Sequence, residues 1–243
     1  MIINRKNEEQ IPTDFLRLLY NRSLIYSINC FLIGKGQSGK STGCFYMANR
    51  LKQIERGISL KKAKWNEWDY KKFTSNNPIK FVELWDKYER EIIVLEEVAE
   101  QMFYLDWHNI MARVFSSTTS TQGLKRNICF LITPYFDDLV KNARSKLDLV
   151  AIFHHRNDTR RTVVVTPKYV RLNWKTFKPE FKPIKNMNLQ YTKRFLRKAN
   201  EYTNWLKGFK KEISLKNKYL AEGFDPDKPI SDKNQPLWIK KML

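Results

Sequence analysis

Apolar residues follow two rhythms along this chain of 243 residues. Short apolar-rich runs of four to seven residues predict buried strands at residues 27–33, 92–95, 128–132, 149–153 and 162–166. Between them, apolar positions recur every three or four residues and predict helices at 13–20, 40–56, 77–89, 106–117, 135–143 and 190–220. Thr13 is placed to cap the first helix, Gly57 to stop the second, and Asn77 or Pro78 to open the third. Pro134 ends the 128–132 strand. In the last helix Tyr191, Phe195, Ala199, Tyr202, Leu206 and Phe209 form one apolar face. Residues 169–172 are expected to pair with the 162–166 strand, and a strand is expected at 68–73. Short buried strands alternating with helices predict an α/β fold, a mostly parallel sheet covered on both faces.

The first strand runs into Gly34-Lys35-Gly36-Gln37-Ser38-Gly39-Lys40-Ser41, followed by Thr42 and a helix. This is the G-x-x-x-x-G-K-[ST] phosphate loop in its strand–loop–helix setting. Its glycines leave the backbone amides open to an anion, and the helix N-terminus adds positive potential. Lys40 is suited to the β- and γ-phosphates of ATP and the Ser41 hydroxyl to Mg²⁺.

A second constellation is Ile92-Ile93-Val94-Leu95-Glu96-Glu97, a buried strand that delivers two carboxylates to the carboxyl edge of the sheet. Glu96, together with Ser41, is the expected metal residue, and Glu97 the expected base for an attacking water. Either acid has the chemistry of a base, and Glu96 stands where an Asp is usual. A third strand, 128–132, is followed by Thr133, a hydroxyl that, if this strand neighbours the acid strand, can sense the γ-phosphate or help hold the water. Arg126 precedes that strand and Arg144 follows the next helix; either can supply charge to a transferring phosphate, including from a neighbouring subunit. His108, His154 and His155 lack a nucleophile or metal-ligand pattern.

Charge adds a partner. The formal net charge is +20, and Lys168–Leu243 holds 19 basic and 7 acidic residues, a net of +12. Such an excess points to a polyanion, nucleic acid before an anionic membrane. Lys61, Lys62 and Lys64 precede Trp65, Trp68, Tyr70 and Phe73, a mixture that suits either nucleic-acid stacking or, by preference, an aromatic edge packed on the domain. Cys30, Cys44 and Cys129 have no metal-ligand spacing and read as reduced core residues. No signal peptide or membrane-spanning run is evident, so the expected location is the cytoplasm, that of a host cell for a viral protein.

These residues resemble the FtsK–HerA superfamily of RecA-like, additional-strand P-loop ATPases, in particular the genome-packaging and plasmid-borne ATPases of archaeal viruses and mobile elements. The resemblance covers residues 24–155 and rests on Gly34–Thr42, on Ile92–Glu97, and on Leu124-Lys125-Arg126-Asn127 leading into the strand that ends at Thr133. Asp137-Asp138-Leu139 with Arg144, and the 149–153 strand, extend it. Thr133 stands where many members carry Gln. The resemblance implies ATP hydrolysis with Mg²⁺, a homo-oligomeric ring, commonly hexameric, and translocation of duplex DNA, with a capsid portal or membrane channel as a further partner. The expected organisation is an N-terminal segment 1–23, an ATPase core 24–175 and a basic helical extension 176–243. Two other readings of the phosphate loop are a small-molecule or nucleoside kinase and a non-catalytic nucleic-acid-binding protein. The second carboxylate, Glu97, argues against both.

Overall fold

The computed structural model describes residues 13–59, 62, 64–96, 125–134, 147–157, 161–173 and 178–221. Helix α1 (Thr13–Ser23) leads to β1 (Ile28–Ile33) and α2 (Lys40–Glu55). Then come α3 (Tyr70–Phe73), β2 (Thr74–Ser75), α4 (Pro78–Lys87), β3 (Ile92–Leu95) and β4 (Ile128–Thr133). Strands β5 (Leu149–Asn157), β6 (Thr162–Asn173), β7 (Lys178–Pro183) and β8 (Met187–Gln190) precede the long helix α5 (Lys193–Ala221). The predicted helices at 106–117 and 135–143 lie outside the described residues.

The strand order is β2-β3-β4-β1-β5-β6-β7, with β8 also paired to β6. The first five strands in this order are parallel to their neighbours, while β6, β7 and β8 add an antiparallel flank. Strand β4 thus stands between the phosphate-loop strand β1 and the acid strand β3, the arrangement of additional-strand P-loop proteins. The fold is the expected α/β one, a central sheet flanked by helices.

The pleat sorts the core into two faces. Across the register Phe31 pairs with Leu131 and Val150, and Leu131 with Leu95. These residues form one cluster with Ile93, Cys129, Leu147 and, from α4, Phe81 and Trp85. On the other face, Phe45 of α2 packs on Trp68 and Phe195 with ring centroids 6.3 and 5.9 Å apart. Tyr46 meets Trp65 at 5.1 Å, and Trp65 meets Phe195 at 4.8 Å.

That second cluster settles the aromatic stretch as core. Trp65, Trp68 and Phe73 are buried, and the Trp68 Nε1–H donates to the Ile92 carbonyl at 2.9 Å. The stretch does not form the strand expected at 68–73. Asp69 instead accepts from the Lys72 amide and caps a single helical turn, and only Thr74–Ser75 are extended. Buried Asn49 of α2 pins the approach, accepting from the Glu67 and Trp68 amides at 3.0 and 3.3 Å.

Two further expectations are corrected. Residues 162–166 and 169–172 are not paired strands but parts of the one strand β6, which runs through Pro167. Its partners are β5, β7 and β8. Helix α5 starts at Lys193, because residues 187–190 are taken by β8 and Thr192 Oγ1 accepts from the Phe195 amide at 3.1 Å. Tyr191, Phe195, Ala199, Tyr202 and Leu206 of its expected apolar face are all buried. The chain divides into two compact units, Met1–Ala199 and Asn200–Leu243. No helix among the described residues is long and apolar enough to cross a membrane.

All three cysteines are free and buried. Burial pushes each thiol up, with the nearby Asp148 carboxylate adding to the rise at Cys30 and Glu96 at Cys44. A thiol held above its ordinary range carries almost no thiolate near neutral pH and is inert. The folded protein is therefore expected to ignore a disulfide reagent such as dithionitrobenzoate, and to release three equivalents only on denaturation. One fast-reacting thiol in the native protein would contradict this packing.

Candidate functional site

The phosphate loop leaves β1 at the carboxyl edge of the sheet and enters α2 at Lys40. Gly34 must be glycine for steric reasons: a Cβ there would lie 2.4 Å from the Phe153 carbonyl oxygen and 2.8 Å from Ser38 Oγ. Its amide donates to the Pro134 carbonyl at 3.3 Å, which ties the loop to the end of β4. Gly39 caps α2 with φ 88°, a left-handed conformation that costs a side chain. Close packing continues beneath the loop, where the ring of Phe153 fills the space beside Gly43.

Lys40 and Ser41 face the places where charge is handled. The Lys40 ammonium donates to the carbonyls of Gly34 and Lys35 at 2.5 and 3.0 Å. It therefore spans the loop. Ser41 Oγ donates to Glu96 Oε2 at 3.1 Å, across 55 residues of sequence. Glu96 follows β3 and is buried; its amide donates to the Ser75 carbonyl at 2.9 Å on the next strand, which fixes the backbone that carries it. Hydroxyl and carboxylate oxygens at a helix N-terminus form a hard donor pair, the kind Mg²⁺ takes alongside phosphate oxygens and water. Ser41 and Glu96 thus fit the ion expected from the sequence.

Thr133 ends β4 beside the loop, pairing with Ile33, and is fully buried. It shares the sheet edge with Glu96. Through Ile33 it belongs to the face covered by α4, whereas Glu96 reaches toward α2. Arg126 lies elsewhere. It precedes β4 at the amino edge, the far end of the sheet from Gly34, so within one subunit it is kept from the phosphate loop by the length of the strand. Glu97 and Arg144 lie outside the described residues. His154 sits within β5, exposed, its Nε2 2.9 Å from Thr166 Oγ1.

Sequence reasoning missed Asn127. It is fully buried at the start of β4, accepts from the Glu91 amide at 2.9 Å and donates to the Trp85 and Tyr88 carbonyls at 3.3 and 2.8 Å. A polar residue just before an apolar run is the only signal in the sequence, and many solvated strand ends share it.

No family model and no curated protein matches the sequence. Solved structures do. The DNA-packaging ATPase from Sulfolobus Turreted Icosahedral Virus matches at 15% identity over 65% of this chain and 98% of its own, with a TM-score of 0.37. The N-terminal domain of zonular occludens toxin from Neisseria meningitidis matches at 14% identity over 70% and 97%, with a TM-score of 0.40. A KaiC-like protein from Pyrococcus horikoshii matches at 11% identity over 68% and 90%, with a TM-score of 0.37. Independently of these, the strand order is that of the RecA-like fold of additional-strand P-loop ATPases.

Proposed function

We propose that this chain hydrolyses ATP with Mg²⁺ and uses the energy to move DNA, duplex in preference to single strands. The observation that carries the reading is the Ser41–Glu96 hydrogen bond at 3.1 Å. It joins the phosphate loop to an acid at the same sheet edge, next to the position where a second acid follows. In this reading residues Gly34 to Thr42 cradle the phosphates, and Lys40 exchanges its loop carbonyls for phosphate oxygens. Ser41 and Glu96 hold the cation, which when bound neutralises charge on the phosphate oxygens. Glu97 orients a water and accepts its proton, and Thr133 senses the γ-phosphate. Water as the acceptor is what separates hydrolysis from kinase chemistry.

The work done rests on charge and on the sequence resemblance. A motor needs a grip indifferent to sequence, and a chain with a net charge of +20 supplies it through phosphate contacts. The amino-edge position of Arg126 leaves it a catalytic role only from a neighbouring subunit, which suits a homo-oligomeric ring; Arg144 is the other candidate. Residues 24–175 would carry the nucleotide chemistry and 176–243 the basic surface that meets a portal, a membrane channel or a neighbour, although β7, β8 and the start of α5 pack on the core. The setting is the cytoplasm of a cell or of a virus's host.

Steady-state ATP hydrolysis with and without duplex DNA tests the reading. The duplex is expected to raise turnover several-fold, and Glu97→Gln to abolish hydrolysis while nucleotide still binds. Hydrolysis indifferent to DNA at low salt would remove the motor.

A further inference from the structure

At the amino edge of the sheet, away from the nucleotide, the chain presents a row of basic side chains. Arg90 leads β3 and Arg126 leads β4. Both hold the left-handed conformation, with φ 55° and 59°, which a non-glycine residue keeps only when its surroundings enforce it. The enforcement is visible: the Arg90 amide donates to the Lys125 carbonyl at 2.9 Å, and Asn127 fixes the chain beyond Arg126. The two arginines line one cavity of about 190 Å³ with Tyr20, Ser23, Leu24, Lys52 and Glu55.

Further along the same edge, Arg22 at the end of α1 lies 3.9 Å over the Tyr169 ring, and Arg171 lies 5.5 Å from it. Lys182 pairs with Tyr169 across β6 and β7, so it stands on the same face. The acids nearby are largely occupied. Lys52 takes Glu55 and Glu91 at 3.1 and 2.8 Å, Lys125 bonds Asp86, and Glu180, which stands opposite Arg171 in the register, accepts from Asn173. Asp148 is half-buried, accepts from the Asn29 amide at 2.8 Å, and is pushed up by burial against the lowering pull of that bond and of the nearby Arg22. What stays outward is Arg90, Arg171 and Lys182, all exposed, with half-buried Arg22 beside them. They follow the strand order from β3 to β7, about 24 Å at the ordinary spacing between strands.

We propose that this amino-edge row is the phosphate-gripping surface of the chain, laid along the backbone of a nucleic-acid strand. The inference rests on the motor reading and gives it a place. Nucleotide chemistry occupies the carboxyl edge and DNA the amino edge, with the parallel strands joining them. Planar guanidiniums, two of them braced on a tyrosine ring, suit phosphodiester oxygens better than mobile lysines do.

The test compares two charge-matched triple variants, both built at exposed positions: Arg90→Gln/Arg171→Gln/Lys182→Gln on the row, and Lys193→Gln/Arg194→Gln/Arg197→Gln at the start of α5. Fluorescence anisotropy of a labelled duplex is followed over a salt series. The row variant is expected to weaken binding at least about tenfold and to lower the log–log salt slope by about 2 to 3, while the α5 variant changes both much less. Hydrolysis without DNA should be unchanged in both. Equal effects from the two variants, or none from the first, would overturn the row as the grip and leave the motor standing. Wild-type protein that binds phosphatidylserine vesicles but no duplex would overturn both, and point to a membrane.

Discussion

Glu96→Gln is expected to lower Mg²⁺-dependent ATP hydrolysis about a hundredfold and to raise the Mg²⁺ concentration needed for half-maximal rate. The side chain keeps its shape, and only the charge goes. Glu96 is buried at the start of a helix-flanked site and receives the Ser41 hydroxyl at 3.1 Å, so its carboxylate both orients that hydroxyl and adds negative charge where a cation would sit. Ser41→Ala removes the hydroxyl and is expected to cost a similar factor. Because both residues act on one ion, the double variant should be little worse than either single one. Rates measured across a Mg²⁺ series for the four proteins decide the matter. Single variants within about threefold of wild type, or a double variant whose loss is the full product, would mean that Ser41 and Glu96 do not share a ligand.

This part of the site was legible because the chemistry is local. A phosphate loop needs its glycines, lysine and hydroxyl within eight positions, and β3 ends in its acid with nothing intervening. Four apolar residues in a row located β3 to the residue. The lateral order of the strands was not legible from the runs themselves, since a buried parallel strand looks alike in any position of a sheet. The position of β4 between β1 and β3, and with it Thr133 beside the loop, came from the register of the structure.

The antiparallel flank was harder, for a reason visible at Pro167. Proline lacks the ladder donor and ordinarily ends a strand, so the sequence reads as two short strands on either side of it. In the structure Pro167 pairs with Ala151 on one side, and its carbonyl accepts from the Ile184 amide at 2.9 Å on the other. Strand β7, Lys-Pro-Glu-Phe-Lys-Pro, contains two prolines and gives no apolar alternation. The stretch at 68–73 failed the opposite way. Its aromatic residues suit a strand, but Asp69 was in place to cap a turn and Trp65 and Trp68 were needed in the core, so tertiary packing overrode propensity. Arg126 shows a third limit. Adjacency to a strand of the site is plain in sequence, whereas which end of the strand it occupies relative to the nucleotide follows only once the strands are known to run parallel.

Asn127→Ala is expected to destabilise the fold by about 3 kcal/mol, or a fall of roughly 10 °C in the midpoint of thermal unfolding. One side chain serves three backbone groups from two other segments: the Glu91 amide ahead of β3 and the Trp85 and Tyr88 carbonyls at the end of α4. Asn127 is fully buried, so truncation to Ala leaves those groups without their partner in a dry place, and that loss outweighs the value of the bonds themselves. Asn127→Asp separates geometry from volume. A carboxylate can still accept from the Glu91 amide, but it faces two carbonyl oxygens, so its ionised form is disfavoured and its folded pKa is raised. Stability of this variant should therefore rise as pH falls through the raised value, where the protonated acid can donate to one carbonyl, and be lost as pH climbs back through it. Below the melting range, ATP hydrolysis per folded molecule should match wild type in both variants, since the phosphate loop lies at the other edge of the sheet. Unfolding midpoints for Asn127→Ala within about 2 °C of wild type would show that water replaces the side chain without cost, and that the amino edge owes its order, including the left-handed turns at Arg90 and Arg126, to other contacts.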